Sequence, residues 1–273
     1  MSYQFDVGFR QLFGSRTELG SVREPGQTND RGRSDAADWV REKLGFWPDA
    51  AQERVLASGH RGILNCTRQW GKSTVTAAKA VHQAYTEGGS LTLVVSPSGR
   101  QSGEFVRKAE GFAQRLGIRP KGDGENEMSL EFPNGSRIIG LPGNEATIRG
   151  FSAVALLLVD EASRVSDELY MAIRPMLAVS QGALWLMSTP FGKRGFFWEA
   201  WKGGGKEWVR VRVPADECER IPSDFLEEER NTMGDRCFRQ EYLCEFVDSV
   251  SGVFDRDLVE SAITNDVKPL VFR

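Results

Sequence analysis

Three features of this 273-residue sequence predict an α/β fold, three-layered, around a mostly parallel central sheet. Short apolar strands alternate with amphipathic helices. A triplet Gly71-Lys72-Ser73 stands where one such strand gives way to a helix. The apolar run at 154–159 ends in Asp160-Glu161. Strands that alternate with helices bury their surfaces best when the helices cover both faces of a parallel sheet.

Taken in order, residues 1–35 mix charges with Gly, Pro, Asn and Ser and carry no hydrophobic period, so they read as a flexible arm. Residues 36–44 predict a short helix, with a turn at Pro48 and a second helix after it. A strand is expected at 63–65, then a helix over 72–85 with Val75, Ala78, His82 and Tyr85 on one face, then a strand at 91–96. Phe105, Ala109, Phe112 and Leu116 mark an amphipathic helix over 101–116. Pro133-Asn134-Gly135 joins two short strands as a hairpin. The continuous run at 154–159 suits a central strand covered on both faces. A helix over 167–178 should bend or break at Pro175. Residues 183–188 form another buried strand, and 209–213 alternate like an outer strand. From Ser223, a plausible N-cap, three short helices are expected. This organises the chain as an arm (1–35), a core (36–213) and a helical lid or linker (214–273).

Composition removes several classes of function. Lys plus Arg number 35 against 38 Asp plus Glu, a formal net charge of −3, so any nucleic-acid contact must come from local patches. No run reaches the roughly eighteen apolar residues of a membrane helix and the N-terminus lacks an apolar leader, which reads as a soluble, cytoplasmic protein with no membrane partner. The cysteines at 66, 218, 237 and 244 form no C-x-x-C pair, so structural zinc and a disulfide framework are not expected. With only His60 and His82 available, both read as structural, and the chemistry falls to Lys, Arg, Asp, Glu and backbone groups.

The segment Cys66-Thr67-Arg68-Gln69-Trp70-Gly71-Lys72-Ser73-Thr74 lies between strand and helix, where backbone N–H groups and a helix N-terminus make an anion site. It meets the phosphate-loop pattern G-x-x-x-x-G-K-[ST] except at Cys66, which stands in place of the first Gly. In that reading Lys72 contacts the β and γ phosphates of ATP, and Ser73 binds Mg²⁺. An apolar strand ending in Asp160-Glu161 supplies the complementary half: Asp160 for the Mg²⁺ shell and Glu161 to polarise the attacking water. The strand at 91–96 between the two motifs, and the Glu beside the Asp, point to the additional-strand, catalytic-Glu (RecA-like) class of P-loop NTPases. That class includes motors and helicases and excludes most kinases and small GTPases. Ser188-Thr189-Pro190 ends the next buried strand, at the sheet edge where ligands bind in open α/β folds, and could relay loss of the γ phosphate. A capped turn is the alternative for this triplet.

These residues together resemble the ATPase, or translocase, domain of a tailed-phage terminase large subunit. The likeness rests on 67–73 as [ST]-R-Q-x-G-K-[ST], on Trp47-Pro48 with Gln52 as an adenine motif, and on Thr147-Ile148-Arg149-Gly150-Phe151-Ser152 ahead of the acidic strand. It extends to Ser188-Thr189-Pro190 as the coupling motif and 238–246 as the close of the ATPase region, covering about residues 44–263. The resemblance implies double-stranded DNA, a portal protein and a small terminase subunit as partners, self-association into a ring, and a place in the host cytoplasm. It makes Arg68, within its own subunit, and Arg149, toward a neighbour's nucleotide, candidates to neutralise the transferred phosphoryl group. Arg100, Gln101, Lys193 and Arg194, with Lys202 and Lys206 beside them, are candidate DNA-backbone contacts. Family members continue into a nuclease, whereas Asp255, Asp257, Glu260 and Asp266 read as surface or capping acids. Two rival readings stand beside this one. A superfamily 2 helicase would need a second RecA-like domain. A weakly active P-loop assembly protein would draw its support from Cys66.

Overall fold

The computed structural model describes residues 30–122, 124, 128–143 and 150–248, with side chains from Ala36 onward. Seven strands form one sheet: β1 (Arg61–Cys66), β2 (Leu91–Ser96), β3 (Ser129–Glu131), β4 (Arg137–Pro142), β5 (Leu156–Asp160), β6 (Ala183–Ser188) and β7 (Val209–Val213). Their order is β3-β4-β2-β5-β6-β1-β7, and only the β3–β4 hairpin pairs antiparallel. The helices are α1 (Asp30–Leu44), α2 (Ala50–Ala57), α3 (Lys72–Thr86), α4 (Gly99–Arg115), α5 (Asp167–Ile173), α6 (Gly195–Gly203), α7 (Ser223–Met233) and α8 (Asp235–Glu241).

Strand side chains alternate between two apolar layers, as a pleated backbone dictates. Leu64, Val94, Ile138, Leu158 and Trp185 share one layer with Val55, Val75 and Phe105 of α2, α3 and α4. Ile63, Leu93, Ile139, Leu157 and Leu186 share the other with Leu169 and Phe197 of α5 and α6. Each such aliphatic side chain, fully buried, contributes about 1.5–3 kcal/mol. β2 and β5 are buried along their whole length, which is why their sequences run apolar without alternation.

This topology sets β5, β6 and β1 side by side, so the loops leaving their carboxyl ends meet. The register puts Asp160 opposite Met187, and Ser188 opposite Asn65. The phosphate-loop segment, the acidic pair and the Ser-Thr-Pro turn therefore converge on one edge.

Several boundaries differ from expectation for identifiable reasons. α1 begins at Asp30 rather than 36, because polar residues can extend a helix whose later turns are anchored by burial of Ala37, Val40 and Leu44. The helix expected over 167–178 ends at Ile173 and tightens into a 3-10 turn over Arg174–Leu177, since Pro175 has no N–H to donate. Pro222, not Ser223, holds the cap position of α7, with Ser223 already inside the helix. Of the three helices expected from Ser223 onward, two are present among the described residues; the acids at 255, 257, 260 and 266 lie outside those residues. Among the described residues no helix is long and apolar enough to cross a membrane.

Candidate nucleotide site

β1 delivers the chain at Cys66 into the loop 67–71, and α3 starts at Lys72. Gly71 holds the N-cap position in a left-handed conformation (φ 100°) that a side chain would strain, and no side chain caps the helix. The first N–H groups of α3 thus face the loop's mouth, as an anion site requires. Lys72 is almost wholly buried, and its Nζ donates to the carbonyls of Cys66 at 2.8 Å and Thr67 at 3.0 Å. The cation is folded onto its own loop. Cys66 packs in the core with Sγ 3.6 Å from the Val211 carbonyl, and burial pushes its thiol far above the ordinary range, so it serves the loop as a small apolar group.

The loop is fixed from beneath by Gln52 and Trp70. Trp70 is buried, and its carbonyl accepts from Gln52 Nε2 at 3.0 Å. Gln52 Oε1 accepts from Asp49 N at 3.1 Å while Asp49 Oδ1 accepts from Gln52 N at 2.8 Å, a reciprocal cap on α2. Gln52 has no exposed surface here and acts on the loop backbone. Beside it a cavity of about 640 Å³ opens between Trp47, Trp70, Arg212, Glu217 and Arg220. Trp47 is 77% exposed on its rim, a flat surface of the size of a nucleobase.

Across the loop, Asp160 Oδ2 accepts from Ser73 Oγ at 3.4 Å and Oδ1 from the Glu161 N–H at 3.1 Å. Burial, reinforced by the neighbouring Glu161 charge and opposed by Lys72, pushes its carboxyl up to about 6. A hydroxyl and a carboxylate side by side are hard oxygen donors of the kind that Mg²⁺ takes. Glu161 adopts φ 49°, ψ 44°, a left-handed geometry sparsely used outside glycine, and its Oε2 accepts from Ser188 Oγ at 3.4 Å. Ser188 in turn lies 2.7 Å from Ser163 Oγ. Ser188, Thr189 and Pro190 are all buried.

One acid that the sequence reading did not single out joins these parts. Glu241, the last residue of α8, accepts from Arg68 Nε (3.1 Å) and Thr189 Oγ1 (3.3 Å) through Oε2, and from Arg164 (3.1 Å) through Oε1. Its backbone carbonyl accepts from Thr67 Oγ1 at 3.3 Å. No local spacing links position 241 to 67, 68, 164 and 189; folding alone brings them together, so the sequence carried no direct signal.

The remaining candidates divide. Gln69 sits in the loop at φ 67°, and Thr74 lies in the first turn of α3. Arg149, with Thr147 and Ile148, lies outside the described residues. Arg100 and Gln101 open α4, where Gln101 Oε1 accepts from the Ser98 hydroxyl at 2.9 Å. Lys193 pairs with Asp248 at 3.0 Å and is largely covered, whereas Arg194 is exposed.

Residues 63–261 match the family model for the terminase large subunit, T4likevirus-type, N-terminal. The terminase large subunits of Thermus virus P23-45 and Thermus phage G20c are 27% and 26% identical over 249 residues, which is 78% of this chain and 51% of each relative. The chain therefore spans about half the length of these curated relatives. The large terminase ATPase domain of Thermus phage P74-26 superposes with a TM-score of 0.69 at 22% identity, over 78% of this chain and 99% of that one. The HK97 bacteriophage large terminase superposes at 0.67 and 16% identity, over 84% and 58%. A D6E phage large terminase solved with ADP superposes at 0.59 and 14% identity, over 80% and 53%.

Proposed function

The chain belongs to the terminase large subunit family, and from that premise we propose that it is the ATP-hydrolysing module of a motor that drives double-stranded DNA into a viral capsid. The observation that carries this reading is the convergence at one sheet edge of a buried Lys72 within its loop, Asp160 beside Ser73, and Glu161 held by Ser188.

In this reading ATP enters along Trp47, and its phosphates draw Lys72 off the Cys66 and Thr67 carbonyls. Ser73 and Asp160 would hold Mg²⁺, and the ion would supply neutralisation of phosphate charge. Glu161 orients the attacking water, its backbone strain and the Ser188 bond fixing the direction of the carboxylate. Arg68 exchanges Glu241 for the γ phosphate, and the loss of that ion pair frees α8 from the loop. Thr189 touches the same Glu241 oxygen, so the coupling turn feels the exchange. The segment from 214 onward then acts as a lid. Arg149 completes a neighbour's site in a ring seated on a portal protein, with DNA delivered by a small terminase subunit.

The test is steady-state ATPase of Lys72→Ala and Glu161→Ala against wild type. A fall of about 10²–10⁴-fold is expected for Glu161→Ala with ATP binding retained. Lys72→Ala should lose turnover and affinity together. Undiminished turnover in Glu161→Ala sinks the assigned water-orienting group; undiminished turnover in Lys72→Ala sinks the site.

A further inference from the structure

Immediately after the Ser-Thr-Pro turn, the half-buried ring of Phe191 is shared by two guanidinium groups. Arg164 lies 4.4 Å from its centroid and Arg194 lies 4.9 Å from it. Both distances fall within the range of cation–π attraction. Two like charges on one ring need compensation. The ring's negative face supplies part of it, and Glu241, which accepts from Arg164 at 3.1 Å, supplies more on one side only. Arg194 pairs with no carboxylate among the described residues and is exposed, and Phe191 is what it rests on.

The two arginines come from different places. Arg164 is three residues past Glu161, in the 3-10 turn that begins the exit from β5, and shares Glu241 with the phosphate-loop Arg68. Arg194 immediately precedes α6 and takes its N-cap position with extended backbone. We propose that Phe191 is a positioning residue whose ring ties Arg164, on the nucleotide side, to Arg194, a cation presented to the phosphate backbone of double-stranded DNA. The inference rests on the proposed motor function. It adds the side chain through which the nucleotide state reaches a DNA contact. If Arg164 shifts when Glu241 changes partners, the shared ring transmits the shift to Arg194, because the ring cannot favour both guanidinium groups equally in every placement.

The experiment measures affinity for a fluorescent linear duplex across a salt series, with the full chain, in the absence of nucleotide and with Mg²⁺ and ATPγS. The proteins are wild type, Phe191→Leu, Phe191→Tyr and Arg194→Ala, each first shown to unfold cooperatively near the wild-type temperature. Nucleotide should change wild-type DNA affinity by about fivefold or more. That ratio should fall close to one in Phe191→Leu, which keeps apolar bulk without an aromatic face, and return in Phe191→Tyr. Arg194→Ala should reduce the slope of log affinity against log salt by about one. A wild-type ratio in Phe191→Leu, an equal loss in Phe191→Leu and Phe191→Tyr, or an unchanged slope in Arg194→Ala each overturns the proposal while leaving the ATPase reading intact. A wild-type chain that binds no duplex overturns the proposal together with the DNA-motor reading.

Discussion

Asp160 is buried against a second carboxylate, so in the absence of metal the folded chain resists its ionisation, and its carboxyl is pushed up to about 6 from an ordinary value near 3.8. The sign follows from that direction. Below the ordinary value both folded and unfolded forms hold the proton and nothing is lost. As pH rises from about 3.8 to about 6, the unfolded chain gives up this proton while the folded state keeps it, so stability falls across that window and levels off above it. Asp160→Asn keeps the shape and the acceptor for the Glu161 N–H but removes the charge. In Mg²⁺-free buffer at pH 8 this variant should be more stable than wild type by about 2–3 kcal/mol. The advantage should shrink toward zero at pH 4, read as the difference in thermal midpoints, with ATPase lost at both pH values. An equal gain at both pH values would mean that the charge is not the source. Glu161 carries a local cost of its own, in backbone conformation rather than charge.

At the far end of the sheet from this site, one close approach holds two strands and two helices in place. Gly62 of β1 lies opposite Trp185 of β6, and a Cβ at 62 would come within 2.2 Å of the indole ring. The ring donates from Nε1 to the Gly59 carbonyl at 3.2 Å and lies 5.0 Å beneath the ammonium of Lys79. Lys79, lowered by burial to about 8, gives its protons to the Val55, Leu56 and Ser58 carbonyls that end α2. Because α2 carries Gln52 and so the floor of the phosphate loop, Gly62→Ala should act on the site from afar. Overpacking there should lower stability by about 1–3 kcal/mol in a denaturant titration and weaken ATP binding. Unaltered stability would show that the indole can move aside. What was legible in sequence follows the same physics. Residues 91–96 and 183–188 are legible as strands to the residue, because largely apolar runs of this length suit a buried strand better than a helix. The loop, the acidic pair and the Ser-Thr-Pro turn were legible because each is local in sequence. Glu241 was not, nor was the inward turn of Gln52 onto Trp70, since both depend on segments brought together only in the fold.

With a net charge of −3 spread over 273 residues, a single copy has little general attraction for DNA, and a grip must come from a few placed cations multiplied by copies around a duplex. The proposed ring would meet that need, and it would also provide a neighbour to supply Arg149. Mixing separates this arrangement from a self-contained ATPase. Lys72→Ala and Arg149→Ala should each be nearly inactive alone if the arginine acts across an interface. In a 1:1 mixture a working site needs an intact Lys72 in its own subunit and an intact Arg149 next door, which random assembly gives at about one interface in four. Turnover near a quarter of wild type, rising faster than linearly with protein concentration, is the expected result, measured with linear duplex present. If Arg149→Ala alone retains wild-type turnover, Arg149 has no part in the chemistry. If it is inactive and mixing restores nothing, Arg149 acts within its own subunit. In the first case Arg68, paired with Glu241 beside the loop, is left as the arginine placed to answer the γ phosphate.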